Sequence, residues 1–255
     1  MADGKVLYEV RDKVGYVTIH DYERRNSLNQ AVCGELHKVW IAFEKDQQAR
    51  VAIITGVRNV FCTGMDLEEV SQGPDSTPDL NGLVSAMPNT AMQITKPIIA
   101  AINGWAIGAG LGLCACADLR VASEKAMFSF PEAKVGWCGG GIELLNVMNT
   151  TIAMEMFLTG EPIDAQMAYQ AGFLNRVVPA ENLMNEAEKF ANIIKGNAPL
   201  TMKMIKAYVS EHQRTLLQHS NIMNRLYITP QTLSSDFREG VNALKEKRSA
   251  LFKGE

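Results

Sequence analysis

The chain has no long hydrophobic run. Nothing in it approaches the roughly 18 consecutive apolar residues of a membrane-spanning helix. The N-terminal stretch MADGKVLYEVRDKVGYV scatters charges where a signal peptide would carry an apolar segment. A surplus of charge is missing as well: 25 Lys and Arg against 28 Asp and Glu leave a formal −3. That balance offers no general attraction for nucleic acid or an anionic membrane, so an anionic ligand must be held by a local cluster. Cysteine is sparse and odd in number, at Cys33, Cys62, Cys114, Cys116 and Cys138, with no CxxC spacing. This argues against a disulfide framework and against a zinc site, and fits a reducing compartment. Cys33, Cys114 and Cys116 read as small buried hydrophobes. His20, His37, His212 and His219 fall in unrelated segments and form no metal constellation. The expectation is a soluble, cytoplasmic protein without a resident cofactor. Its 255 residues, 47% of them hydrophobic, suffice for a sizeable core.

The pattern along the chain is α/β. Val14–His20 is a β-branched strand, and Ser27 or Asn29 can cap a helix with the stripe Leu36, Val39, Trp40 and Phe43. Val51–Thr55 is a second strand. Ser71–Pro88, with Gly73, Pro74, Pro78, Gly82 and Pro88, reads as an irregular loop beside the ligand. Pro97–Ile102 is apolar enough for a strand buried on both faces. It is followed by a glycine-rich turn, a helix over Leu111–Ala117 and a strand from Asp118 to Ala122, which make one right-handed crossover unit. Beyond Gly160 come a short helix capped by Asp164, a strand at Leu174–Val178, helices near Asn182–Ile194 and Leu200–Asn221, and a charged tail from Asp236 to Lys253. Residues 1–195 are expected to form the α/β core and residues 196–255 a helical region that packs on it or on a neighbouring subunit.

Two turns carry the chemistry. Gly108, Gly110 and Gly112 follow a strand, but Leu113 breaks the G-x-G-x-x-G spacing of a dinucleotide site, and no Gly-Lys-Ser or Gly-Lys-Thr supports a P-loop. Such a turn still presents backbone N–H groups to an oxygen that becomes negative during reaction. Phe61-Cys62-Thr63-Gly64-Met65-Asp66-Leu67 repeats the design after the preceding strand.

Phe61 to Leu67 resembles the F-x-x-G-x-D-[LI] turn of the enoyl-CoA hydratase/isomerase (crotonase) family. Lys96-Pro97-Ile98-Ile99-Ala100-Ala101-Ile102-Asn103-Gly104 through Gly110 is similar to its K-P-[VI]-I-A-A-[VI]-N-G signature. Asn26-Ser27-Leu28, Phe130-Pro131-Glu132 with Gly136, Ala153 to Gly160 and the tail around Glu239-Gly240 extend the likeness over nearly the whole chain. The resemblance implies a crotonase-like spiral of β-β-α units with a helical C-terminal region, trimers that pair into hexamers, and an acyl-CoA thioester substrate. It places the two oxyanion-hole amides on Met65 and Ala109, beside Gly110, and an acid/base carboxylate on Glu132. Arg24 and Arg25 fall where relatives meet the nucleotide end of coenzyme A, and Lys253, beside Phe252 in the tail, is expected to add a contact from a neighbouring subunit. Asp66 and Leu67 border the same turn, and Asp66 also reads as a structural cap, like Asp118.

Two departures shape the expected reaction. Gly112 stands where hydratases carry a second glutamate, and one carboxylate performs syn hydration with difficulty but suffices to move a proton between C2 and C4. The sequence therefore leans towards an isomerase with Glu132 as proton shuttle. The alternatives are a hydratase with a relocated acid/base, acting on a cyclic or dienoyl thioester, and a non-catalytic acyl-CoA-binding subunit. Second, Trp137-Cys138-Gly139-Gly140-Gly141-Ile142-Glu143 replaces the usual loop. Glu143 reads first as a solvent-facing helix residue and second as the replacement carboxylate, with Glu68 and Asp75 as other candidates. Cys138 lacks a nearby His to activate it. Trp105, Met65, Met87 and Trp137 can line an apolar acyl pocket or belong to the core.

Overall fold

The computed structural model describes residues 4–70, 80–88, 94–137, 141–211 and 234–254. The chain opens with β1 (Val6–Arg11) and β2 (Val14–Ile19), antiparallel and joined by Asp12 and Lys13, both with positive φ. Two such residues form the turn whose twist matches a hairpin. The sequence reading missed β1, which alternates buried and polar positions too weakly to stand out.

Helix α1 (Gln30–Lys45) begins at Asn29, whose side chain accepts from the Val32 amide at 2.9 Å. Its buried face, Leu36, Val39, Trp40 and Phe43, is the stripe expected from helical periodicity. From there consecutive strands alternate between two sheets. β3 (Val51–Gly56) joins one and β4 (Val60–Cys62) the other, before the short α2 (Leu67–Val70). After α3 (Leu80–Ala86), β5 (Ile98–Ile102) and β6 (Trp105–Ile107) repeat the step into α4 (Ala109–Ala115), and β7 (Leu119–Ser123) and β8 (Met127–Ser129) repeat it again. Then follow α5 (Thr150–Thr159), β9 (Ile163–Asp164), α6 (Ala165–Gln170), β10 (Arg176–Val178), α7 (Leu183–Gly196), a helix α8 over residues 199–211, and α9 (Ser235–Lys245).

Among the described residues the larger sheet runs β1-β2-β3-β5-β7-β10 and the smaller β4-β6-β8-β9. This is a spiral of β-β-α turns. Every residue of β5 is buried, as its apolar run requires. Its alternating side chains feed two cores: Ile98, Ala100 and Ile102 join the main core with α1, while Ile99 and Ala101 face Leu183, Ala187 and Ala191 of α7.

Several expectations need correction. Leu80–Ala86, within the segment read as irregular, is helical because α1 receives it: Trp40 Nε1 donates to the Ala86 carbonyl at 2.9 Å, and Leu83 packs on the core. Asp75 and the rest of that segment up to residue 79 lie outside the described residues. The charged tail contains α9, whose Phe237, Gly240, Val241 and Ala243 make a buried face among charged neighbours. Helix α4 starts at Ala109, two residues before the expected Leu111. Cys116 is half-buried, whereas Cys33 and Cys114 are buried as expected.

Candidate active site

β4, β6 and β8 are parallel neighbours in the smaller sheet, so the turns leaving their carboxyl ends cluster at one edge. That edge is where open parallel sheets hold ligands. The first turn carries Met65, the second Ala109 and the third Glu132. The first two touch: a Cβ on Gly64 would lie 3.1 Å from the Ala109 nitrogen, and one on Gly110 would overlap the Cys62 carbonyl. Only glycine permits this approach, and Gly64 and Gly108 also hold positive φ. The first helical bond of α4 runs from the Gly112 amide to the Gly108 carbonyl at 3.0 Å, which leaves the Ala109 amide in the first turn without an intrahelical acceptor. The Leu28 amide anchors the other turn at Gly64 O, 2.7 Å away, and does not use the Met65 amide. Two backbone donors are thus available side by side.

Glu132 follows β8 on a short 3-10 helix, Pro131–Val135, with proline at its start. Its Oε1 lies 2.5 Å from where a Cβ of Gly108 would sit, next to the Ala109 amide. Oε2 is enclosed and has no hydrogen-bond partner, a state shared among the described residues only by the Tyr8 hydroxyl. Burial, opposed by its own backbone amide and reinforced by the charge of Glu143, pushes the Glu132 carboxyl up to about 8. A carboxyl so placed exchanges protons near neutrality.

Glu143 is not solvent-facing. The left-handed turn at Gly141 (φ 78°) starts the 3-10 helix Ile142–Asn146 and folds Glu143 inward, with its Oε1 2.9 Å from where a Cβ of Gly112 would sit. Burial raises its carboxyl too, against hydrogen bonds from its own amide and that of Gly141. Sequence reasoning ranked this position second because an isolated glutamate gives no sign of burial. The glycine run before it, paired with the absent side chain at 112, was the available signal.

The other candidates divide. Asp66 is buried and structural: burial opposes its charge, but Ser27 Oγ at 2.9 Å, Arg24 at 3.0 Å and the Glu68 and Glu69 amides hold its carboxyl below the ordinary range. Arg24 is committed to this pair, while Arg25 is exposed nearby with positive φ. Leu67 is half-buried at the start of α2, and Glu68 is exposed. Of the four residues suggested for an apolar pocket, Met65 and Trp137 share one cluster, Met87 lies in the main core and Trp105 is exposed. Trp137 stacks at 5.0 Å on Phe237 of α9, a residue the sequence reading had not singled out. Phe252 and Lys253 are exposed beyond α9, where the Lys253 amide donates to Asp236 at 2.6 Å. Cys138 lies outside the described residues. Among the described residues no group of three His, Cys, Asp or Glu could hold a metal ion.

A family model for enoyl-CoA hydratase/isomerase matches residues 9–255. The chain belongs to this family. A (E)-benzylidenesuccinyl-CoA hydratase of Thauera aromatica is 34% identical over 254 residues, 98% of this chain and 99% of that protein. A probable mitochondrial enoyl-CoA hydratase of Dictyostelium discoideum is 35% identical over 245 residues, 94% of this chain and 88% of its own. Among solved structures, a carnitinyl-CoA hydratase from Mycobacterium avium superposes with a TM-score of 0.87 at 29% identity, covering both chains fully. The spiral is therefore the crotonase fold, and the chain is an acyl-CoA-processing enzyme of the hydratase/isomerase family. No helix among its described residues is long and apolar enough to cross a membrane.

Proposed function

We propose that this enzyme adds water to, and removes it from, a 2-enoyl-CoA thioester, with the Met65 and Ala109 amides holding the thioester oxygen and Glu132 exchanging the proton at the α-carbon. The observation that carries the reading is the enclosed, unpartnered Oε2 of Glu132 at the edge where the two glycine-dependent turns present their amides. Enclosure without a hydrogen-bond donor disfavours the charged form of a carboxyl, and the protonated form can give its proton to an enolate carbon placed beside it. Developing negative charge on the thioester oxygen is where two preorganised amides give most.

The direction of chemistry draws on the relatives, which are named hydratases, and on the removal of the premise for an isomerase: Gly112 no longer leaves Glu132 as the sole enclosed carboxylate. Exposed Arg25, with Lys253 of the C-terminal tail, supplies positive charge for the phosphates of coenzyme A, and Leu67, Gly110 and Trp137 border the acyl end. The exposed apolar residues Leu200, Met204 and Tyr208 on α8 fit self-association with further copies of this chain, in trimers or paired trimers. A cytoplasmic location remains part of this reading.

Mass spectrometry tests the function. Incubated with crotonyl-CoA, the protein is expected to produce a thioester heavier by one water, and Glu132→Gln to lose at least a hundredfold in rate. With 3-hexenoyl-CoA, conversion to the conjugated isomer at unchanged mass, faster than any hydration of crotonyl-CoA, would return the assignment to an isomerase.

A further inference from the structure

We infer that Glu143 is the second acid/base residue of this site, its carboxylate reaching from a different segment into the space that the missing side chain of residue 112 leaves empty. The inference rests on the hydration reading above. Gly112 is buried on α4, and a Cβ built there meets one neighbour within 4 Å, the carboxyl of Glu143, with Oε1 at 2.9 Å. The glycine therefore makes room for this carboxylate. Gly108, one helical turn earlier, bears the same relation to Glu132. The two carboxylates thus stand over positions one helical turn apart at the start of one helix, α4.

Their surroundings divide the labour. Burial raises the carboxyl of Glu143, but two backbone amides, its own and that of Gly141, oppose that rise, against a single opposing amide at Glu132. Glu132 leaves Oε2 without a donor, which favours its protonated form. A pair holding one proton between them suits addition of water. Ionised Glu143 takes a proton from water as the water oxygen bonds the β-carbon. The π electrons of the double bond move towards the thioester oxygen, and Glu132 gives its proton to the α-carbon as the carbonyl re-forms. One proton enters the pair and one leaves, so the product departs with the protonation swapped, and Glu143 returns its proton to Glu132 through solvent before the next hydration. Dehydration runs the same steps in reverse from that swapped state.

Wild type, Glu143→Gln, Glu143→Ala and the double variant Gly112→Glu with Glu143→Ala test the assignment by two readouts. The first is hydration of crotonyl-CoA and cinnamoyl-CoA, read by mass. The second is entry of solvent deuterium at the α-carbon of butyryl-CoA, which requires Glu132 and the two amides but no water addition. The expected result is a loss of hydration of about 10²- to 10⁴-fold in both single variants, with deuterium entry within a few fold of wild type. The double variant should recover at least tenfold over Glu143→Ala, because the new side chain grows into vacated space. Hydration by Glu143→Gln at the wild-type rate overturns the inference, as does a wild type that exchanges deuterium but hydrates neither thioester. A wild type that does neither overturns the proposed function itself. Loss of deuterium entry together with hydration in Glu143→Gln makes the residue a structural support and also overturns it.

Discussion

Ionising Glu132 puts charge on an oxygen that no donor reaches, and the folded chain resists this. Its carboxyl titrates near 8 against an ordinary value of 4.5, so between those pH values the folded state holds a proton that the unfolded state has lost. Stability contributed at this position therefore falls as pH rises through that window. Glu132→Gln is expected to melt higher than wild type, by a margin near zero at pH 4 that grows to about 1–3 kcal/mol by pH 9; a constant margin across the range, measured by thermal melts, would sink the argument. The same titration bears on activity, because in the proposed hydration a protonated Glu132 is the donor. The hydration rate is expected to decline above about pH 8, and Glu132→Gln to show no such limb at its residual rate. Gly108→Ala places a Cβ against Glu132 Oε1 on a backbone with φ of 52°. Displacing the carboxyl should cost at least tenfold in kcat with a smaller change in KM, measured by steady-state kinetics.

At the scale of elements, the 3-10 helix carrying Glu132 is clamped by α9 from the far end of the chain. A Cβ on Gly136 would lie 2.7 Å from the Asp236 carbonyl, and Gly240 approaches Val135 so closely that no side chain fits. Gly240→Ala is therefore expected to push α9 from Val135, lower kcat several-fold and cost about 1–3 kcal/mol, with circular dichroism and kinetics as the checks. Phe237→Ala opens a cavity beside Trp137 and should destabilise by about 3 kcal/mol or more. Much at this scale was readable beforehand. The α1 stripe, the doubly buried β5 and the Asp164 cap follow from local periodicity and capping chemistry. Helix α3 was not readable, since the glycines and prolines of Ser71–Pro88 mask it, while α9 falls within the helical region expected over residues 196–255, although its bounds were hidden among charges. The family motifs also proved partly architectural. Lys96 donates to the Phe43 and Asp46 carbonyls at the end of α1, and Asn103 accepts from the Gly56 amide while donating to the Arg58 carbonyl.

For the whole molecule, a net charge of −3 must coexist with a ligand that carries phosphates, so binding depends on a few local cations. Arg24 is held by Asp66, which leaves Arg25 as the freer positive charge at that turn. Arg25→Ala is expected to raise KM for an acyl-CoA several-fold with little change in kcat, and the difference from wild type should shrink at high salt. A wild-type KM in Arg25→Ala at low ionic strength would remove the residue from the binding site. The family and the α/β spiral were legible in the sequence, because both are carried by contiguous motifs and local periodicity; Met65, Ala109 and Glu132 were named by the resemblance, and the structure brings their turns to one sheet edge. The partnership of Gly112 with Glu143, the stacking of Trp137 on Phe237 and the commitment of Arg24 to Asp66 were decided only by the tertiary structure. Each joins residues distant along the chain, and which carboxylate fills which space depends on how the turns at the carboxyl ends of β4, β6 and β8 are brought together.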